Sequence, residues 1–135
     1  MVSRLKNGGG LFMDCLIALG GSKGFGVPGE SYLAVLDAMY DRKDKFDLML
    51  CRNEGGAAYM AEAWGKLTGT PGLCFVTRGP GATNASIGIH TAMQNSTPMI
   101  VFVGQVGVGM KGREAFQEIE YCLLYTSPSP RDSIR

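Results

Sequence analysis

Residues 46–103 read FDLMLCRNEGGAAYMAEAWGKLTGTPGLCFVTRGPGATNASIGIHTAMQNSTPMIVFV, and this stretch decides the fold. Three short apolar runs within it predict buried strands: residues 46–51, 73–77 and 99–103. Two longer segments of helix-forming residues separate them, so strands and helices alternate with connections of a few residues. Such alternation is typical of a parallel sheet, in which each helix carries the chain back to start the next strand.

The two helices of this stretch carry different end signals. The first is predicted over residues 57–67, because Gly69 and Pro71 follow it as C-terminal punctuation. The second is predicted to start at an N-cap provided by Thr83 or Asn84 and to end near residue 95.

Upstream of this stretch the alternation continues. The first helix is predicted to bury an apolar stripe formed by Leu11, Cys15, Ile17, Ala18 and Leu19. Residues 25–27 predict a strand, and Ser31 is the expected N-cap of a second helix. The buried face of that helix is predicted to hold Leu33, Leu36, Ala38 and Met39. We therefore expect one α/β domain with a mostly parallel sheet and helices on both faces.

Composition excludes several classes of protein. A chain of 135 residues suits one domain, and 45% hydrophobic with 19% charged residues excludes a disordered chain. A formal net charge of +1 provides no basic field for nucleic acid or an anionic membrane. The apolar runs are too short to span a bilayer. Four widely spaced cysteines without a C-x-x-C pair predict a reduced, cytoplasmic protein.

The glycines cluster on one side of the predicted strands. They follow the four strands in turn as Gly29; Gly55 and Gly56; Gly79 and Gly81; and Gly104, Gly107 and Gly109. In an open parallel sheet, ligands bind at the carboxyl ends of the strands, where glycine lets backbone approach them closely. The distribution predicts a ligand site at this edge.

Glu54 is the sharpest candidate for chemistry at that edge. The segment RNEGGAA, residues 52–58, places one carboxylate at the end of a predicted strand, with residues after it that are too small to shield it. Two interpretations remain open on the local pattern. Glu54 either favours the dipole of the helix that follows, or exchanges a proton with a ligand nitrogen.

Other motifs are weaker. Residues 24–29 and 107–112 match G-x-G-x-x-G, but neither match follows a strand and opens a helix, so we interpret both as accidental. In residues 78–84, RGPGATN, Thr83 or Asn84 either caps a helix or also contacts a ligand. His90, the one histidine, is predicted to be structural rather than a proton shuttle, and no metal-binding spacing occurs.

Taken together, three segments resemble the N-terminal pyrimidine-binding domain of thiamine-diphosphate-dependent enzymes of the acetolactate synthase type. They are GVPGESYLAVLDAMYD at 26–41, residues 51–106, and KGREAFQEIEY at 111–121. The resemblance covers about residues 8–121. It implies thiamine diphosphate as coenzyme and an enzyme that decarboxylates a 2-keto acid such as pyruvate and ligates the acyl carbon to an acceptor.

The resemblance also implies roles for individual residues. Glu54 would bond N1′ of the aminopyrimidine and promote the imino form that removes the C2 proton of the thiazolium ring. Further residues would line the cofactor or the substrate side: Pro28, Gly29 and Glu30 in the cleft across the dimer, Pro80, Thr83 and Asn84 near the pyrimidine, and Phe116 and Gln117 facing the substrate. Asn53 stands where the family usually has histidine, so a hydrogen bond would replace a titrating partner of Glu54.

The rest of the implied enzyme lies outside this chain. The resemblance places magnesium, and in acetolactate synthases FAD, in further domains, and it implies a homodimer or homotetramer. We expect residues 1–121 to be the native domain, residues 122–135 to be a non-native or disordered tail, and the isolated chain to be inactive. The alternatives are another thiamine-diphosphate decarboxylase or lyase, a non-catalytic binding module of the same fold, and a nucleotide-binding Rossmann-like domain.

Overall fold

The computed structural model describes residues 7–125 and contains a four-stranded parallel sheet. The strands are β1 (Lys23–Gly26), β2 (Asp47–Leu50), β3 (Gly72–Thr77) and β4 (Met99–Gly104), in the order β2-β1-β3-β4. The helices are α1 (Gly8–Ala18), α2 (Leu33–Tyr40), α3 (Glu54–Thr68), α4 (Arg78–Gln94) and α5 (Tyr121–Tyr125). Short 3-10 turns occupy Glu30–Tyr32 and Val108–Met110.

Helices cover both faces of the sheet, so the predicted fold class is confirmed. The alternation of side chains along β3 shows the two layers: Leu73 and Phe75 point into a core shared with α1 and α2, whereas Cys74 and Val76 point into a core shared with α3 and α4. All four side chains are at most 5% exposed. β3, one of the two central strands, thus contributes side chains to both cores.

The prediction that the apolar runs at residues 46–51 and 99–103 form buried strands is wrong, because both strands lie at edges of the sheet. β2 pairs only with β1, and its Met49 and Leu50 are 40% and 65% exposed. β4 forms the opposite edge, where Ile100 is 42% exposed. A continuous apolar run therefore marks these strands without distinguishing a central strand from an edge strand.

The predicted apolar stripe of α1 is wrong except at Ile17, which packs against the core. Leu11 and Leu19 are 57% and 86% exposed, whereas Gly9, Met13 and Leu16 form the buried side. The reason is a close backbone contact, since a Cβ on Gly9 would overlap the backbone of α2 at residue 34. Glycine lets the two helices approach along this face, and Met13 and Leu16 follow at helical spacing.

The start of α2 differs from the prediction. A 3-10 turn precedes the helix, so Ser31 lies in that turn and is not the N-cap. Leu33, predicted to be buried, is 61% exposed, while Ala38 and Met39 are buried as predicted. The Ser31 side chain instead shares a hydrogen bond with Thr77 of β3.

Both helices of the deciding stretch begin earlier than predicted. α3 starts at Glu54, where the Asn53 side chain accepts hydrogen bonds from the N–H groups of Gly55 and Gly56. α4 starts at Arg78, directly after β3, so Thr83 and Asn84 lie inside the helix and neither caps it. Arg78 turns the chain in the left-handed region, with φ 43°, and makes a longer loop unnecessary.

The carboxyl-terminal part of the described chain is helical. α5 begins at Tyr121, the predicted last residue of the native domain, and includes Cys122 of the predicted tail. The remainder of that tail, residues 126–135, lies outside the described residues. Within residues 7–125, no helix combines the length and the apolar character that crossing a membrane requires.

Candidate cofactor site

Glu54 lies at the predicted edge of the sheet, four residues after β2, as the first residue of α3. Asn53 fixes this start by capping the helix, and Gly55 and Gly56 place no side chain beside the carboxylate. Glu54 is half-buried. Its position in the first turn of α3 favours the helix dipole. The carboxylate also contacts a second helix, α4.

The carboxylate of Glu54 is held by α4. The Nδ2 of Asn84 donates a hydrogen bond to Oε2 at 2.9 Å. Oε1 faces Gly81, where an added Cβ would lie 3.6 Å from this oxygen. Asn84 thus fixes one oxygen, and the missing side chain of Gly81 leaves room beside the other.

The segment that holds Pro28, Gly29 and Glu30 packs against the end of β3. A Cβ on Gly29 would overlap the side chain of Thr77, so only glycine permits this approach. The next residue but one, Ser31, shares a hydrogen bond of 2.6 Å with the Thr77 hydroxyl. These contacts place residues Pro28–Glu30, which we call the cofactor loop, on the same edge of the sheet as Glu54.

Tyr32 follows this loop and lies close enough to Glu54 to feel its charge. Its hydroxyl donates a hydrogen bond to the carbonyl of Val27. Burial raises the pKa of Tyr32 to about 12, and the nearby Cys74 and Glu54 act in the same direction. The phenol therefore stays neutral at physiological pH and closes the loop on itself.

Arg78 lies between the loop and the segment that contains Phe116 and Gln117. Its Nη1 donates a hydrogen bond to Oε1 of Glu30 at 3.2 Å. Its neighbour Gly79 donates its N–H to the carbonyl of Gln117 at 2.8 Å. The start of α4 is thereby bonded to both predicted flanks of the site.

Not every predicted site residue joins this arrangement. Pro80 and Thr83 are exposed on the first turns of α4, and the ring of Phe116 is 72% exposed. Gln117 meets the start of α4 through its backbone carbonyl, and its own backbone is in the left-handed region at φ 64°. His90 is exposed in the fourth turn of α4, away from the first two turns, which meet Glu54.

The structure adds three residues to the site that the sequence does not single out for it: Tyr32, Thr77 and Arg78. For Arg78 a signal exists, because a charged residue directly after a buried strand is the same pattern that points to Glu54. For Thr77 and Tyr32 the contacts depend on which strands become neighbours. That information is tertiary.

Comparison with known proteins identifies the family of this chain. Residues 6–124 match the family model described as thiamine pyrophosphate enzyme, N-terminal TPP binding domain. The chain belongs to this family. The resemblance inferred from residues 26–121 is thus confirmed, and the Rossmann-like alternative is wrong.

Several acetolactate synthases are similar to this thiamine pyrophosphate enzyme N-terminal domain. The acetolactate synthase catalytic subunit, mitochondrial, of Aspergillus candidus is 44% identical over 115 residues, 85% of this chain and 16% of its own length. The acetolactate synthase isozyme 2 large subunit of Escherichia coli is 40% identical over 114 residues, 84% of this chain and 20% of its own. The acetolactate synthase of Bacillus subtilis is 37% identical over 124 residues, 91% and 21%. The chain thus spans about a fifth of the length of these relatives.

The residues of this domain fit one half of thiamine diphosphate. A half-buried carboxylate with one oxygen fixed by Asn84 and the other facing Gly81 suits a ring nitrogen that exchanges a proton. Residues 7–125 contain no group of three or more His, Cys, Asp and Glu side chains that could hold a metal ion.

Proposed function

We propose that this domain binds the aminopyrimidine half of thiamine diphosphate and that Glu54 exchanges a proton with its N1′ nitrogen. The observation that carries the proposal is the contact of Glu54 with α4: Asn84 donates to Oε2, and Gly81 leaves space beside Oε1. A neutral amide donor orients the carboxylate without competing for its proton. When bound, thiamine diphosphate supplies the electron sink for decarboxylation of a 2-keto acid.

The other residues of the site would form the walls of the cofactor cleft. The loop at Pro28–Glu30 would form one wall of the cleft, since Gly29 and Ser31 bring it against Thr77. The neutral Tyr32 phenol behind it adds no charge near Glu54. Pro80, Thr83 and the substrate-side Phe116 are exposed, which makes them accessible to a ligand or to a second subunit.

For the whole protein we propose an acetolactate-synthase-like reaction, in which a 2-keto acid such as pyruvate is decarboxylated and its acyl carbon is ligated to an acceptor. The identity of 37–44% to three acetolactate synthases supports this reaction over that of another thiamine-diphosphate decarboxylase or lyase. Magnesium and FAD belong, in this scheme, to parts of the whole protein outside residues 7–125.

A homodimer or homotetramer follows from the same scheme, because a second subunit would provide the diphosphate half of each site. Exposed apolar side chains on α3 and α4, among them Tyr59, Met60 and Ile87, are available for such contacts. The cytoplasm is our proposed location, supported by Cys15, Cys51 and Cys74, which form no disulfide within the described residues.

Isothermal titration calorimetry of the full chain with thiamine diphosphate tests the proposal. We expect saturable binding to the wild type, and about tenfold or greater weakening in Glu54→Gln, since a hydrogen bond to a charged group contributes roughly 1.5–3 kcal/mol. Glu120→Gln, which changes an exposed glutamate in the same way, should bind like the wild type. Equal affinity in both variants would contradict the role of Glu54, and the chain alone should show no turnover of pyruvate.

A further inference from the structure

The first two turns of α4 contact both Glu54 and the cofactor loop. Asn84 and Gly81 meet the carboxylate of Glu54, as described above. At the very start of the helix, Arg78 reaches in another direction and pairs with Glu30 of the cofactor loop. One rigid element therefore positions the proton-exchanging carboxylate and the opposite wall of the cleft.

The conformation of Arg78 is unusual for a residue that only ends a strand. Its φ of 43° lies in the left-handed region, which arginine rarely adopts. This backbone turn directs the side chain toward the cofactor loop, where it is 17% exposed. Its buried Nε finds no hydrogen-bond partner among the side chains and backbone of residues 7–125. A strained backbone conformation of this kind persists where the surrounding structure over-determines it.

Thr77, the residue before Arg78, contacts the same loop. Thr77 shares a hydrogen bond with Ser31, and the same Thr77 side chain packs on Gly29. Glu30, between these two residues, is 69% exposed, so its ion pair with Arg78 is the contact that holds its side chain. Loop residues 29–31 are therefore held by two consecutive residues, Thr77 and Arg78.

We propose that Arg78 is a positioning residue that holds the Pro28–Glu30 loop on α4 through its ion pair with Glu30, at a fixed place relative to Glu54. Arg78 need not touch the cofactor or the reacting atoms for this role. The function of the loop as a cofactor wall rests on the proposed thiamine diphosphate site, whereas the ion pair itself does not. The two can therefore be tested separately.

The test measures amide hydrogen exchange by NMR in the full chain, in wild type, Arg78→Gln, Glu30→Gln and the double variant. The reporter is the N–H of Tyr32, which donates to the carbonyl of Gly29 at 3.3 Å. The reference is the N–H of Ala57, which donates to the carbonyl of Asn53 in the first turn of α3. Because an exposed ion pair contributes up to about 1 kcal/mol, each single variant should speed exchange at Tyr32 by about threefold.

The double variant should exchange no faster than either single variant, since both remove the same interaction. Exchange at Ala57 should stay unchanged, and the exposed Arg113→Gln should match the wild type at both amides. Additive effects at Tyr32, unchanged exchange there, or an equal change at Ala57 would overturn the proposal. Glu30→Gln keeps the test decisive if Arg78→Gln fails to fold, because Glu30 is exposed.

Calorimetry on the same proteins connects the ion pair to the site. Thiamine diphosphate should bind both single variants about threefold more weakly than wild type, and Arg78→Lys, which keeps the charge, should recover part of the loss. Wild-type affinity in a variant with faster exchange at Tyr32 would overturn the positioning role. Failure of the wild type to bind would instead overturn the proposed function and leave the exchange result standing.

Discussion

Substitution of Gly81 by alanine should separate the stability of the domain from its ability to bind the cofactor. Gly81 is buried as the fourth residue of α4, beside Oε1 of Glu54. The added methyl would lie 3.2 Å from Cβ of Val76 and 3.6 Å from Oε1. The first distance requires a shift of a few tenths of an ångström, and the second is an ordinary van der Waals contact.

The two consequences for stability act in opposite directions. Alanine favours a helix over glycine by about 0.8–1.0 kcal/mol. Crowding against Val76 costs on the order of 1 kcal/mol, at the low end for overpacking. The free energy of unfolding should therefore change by less than about 1 kcal/mol, which urea denaturation can measure.

Binding should respond much more strongly than stability. The methyl of Gly81→Ala fills the space beside Oε1, and loss of one hydrogen bond to the carboxylate corresponds to about tenfold weaker binding or more. Gly8→Ala is the matched control, since its Cβ would meet nothing within 4 Å and it also lies in the first turn of a helix, α1, which is not part of the site. A folded Gly81→Ala protein that binds thiamine diphosphate as tightly as Gly8→Ala would refute the placement of the site.

Two further predictions concern the cores of the domain. Burial raises the pKa of Cys74 to about 12 from an ordinary value of 9.0, so its stabilising effect is complete below about pH 9 and is lost as pH rises toward 12, by about 1.4 kcal/mol per pH unit. Urea denaturation at pH 8 and pH 10 should show this loss in wild type and a smaller one in Cys74→Val; equal losses would contradict it. Phe75→Ala should destabilise the domain by about 3–5 kcal/mol, because the ring is 1% exposed and stacks on Phe102 at 4.7 Å between centroids. A decrease of less than about 1 kcal/mol in the free energy of unfolding, measured by urea denaturation, would contradict the tight packing of Phe75.

The order of strands and helices follows from the sequence because it depends on local patterns. The apolar runs of β3 and β4, and the Gly69 and Pro71 signals after α3, are visible without tertiary knowledge. The edge of the sheet at which Glu54 lies can also be predicted from the sequence, since glycines follow each strand at its carboxyl end.

The faces of the helices and the start of α4 depend on tertiary contacts and could not be read in this way. Gly9 turns α1 toward α2 through a backbone contact, which reverses the expected apolar stripe. Arg78 starts α4 in a conformation that sequence patterns do not predict for arginine. The hydrogen bond between Asn84 and Glu54 follows from that early start, because it places Asn84 in the second turn of α4 rather than at its cap.

The most direct measurement records the side-chain signals of Glu54 and Asn84 by NMR while thiamine diphosphate is added to the full chain. We expect the signals of the Glu54 carboxyl carbon and the Asn84 side-chain amide to shift together and to saturate at the concentration at which calorimetry shows binding. Saturable binding that leaves both signals in place would show that the cofactor lies elsewhere.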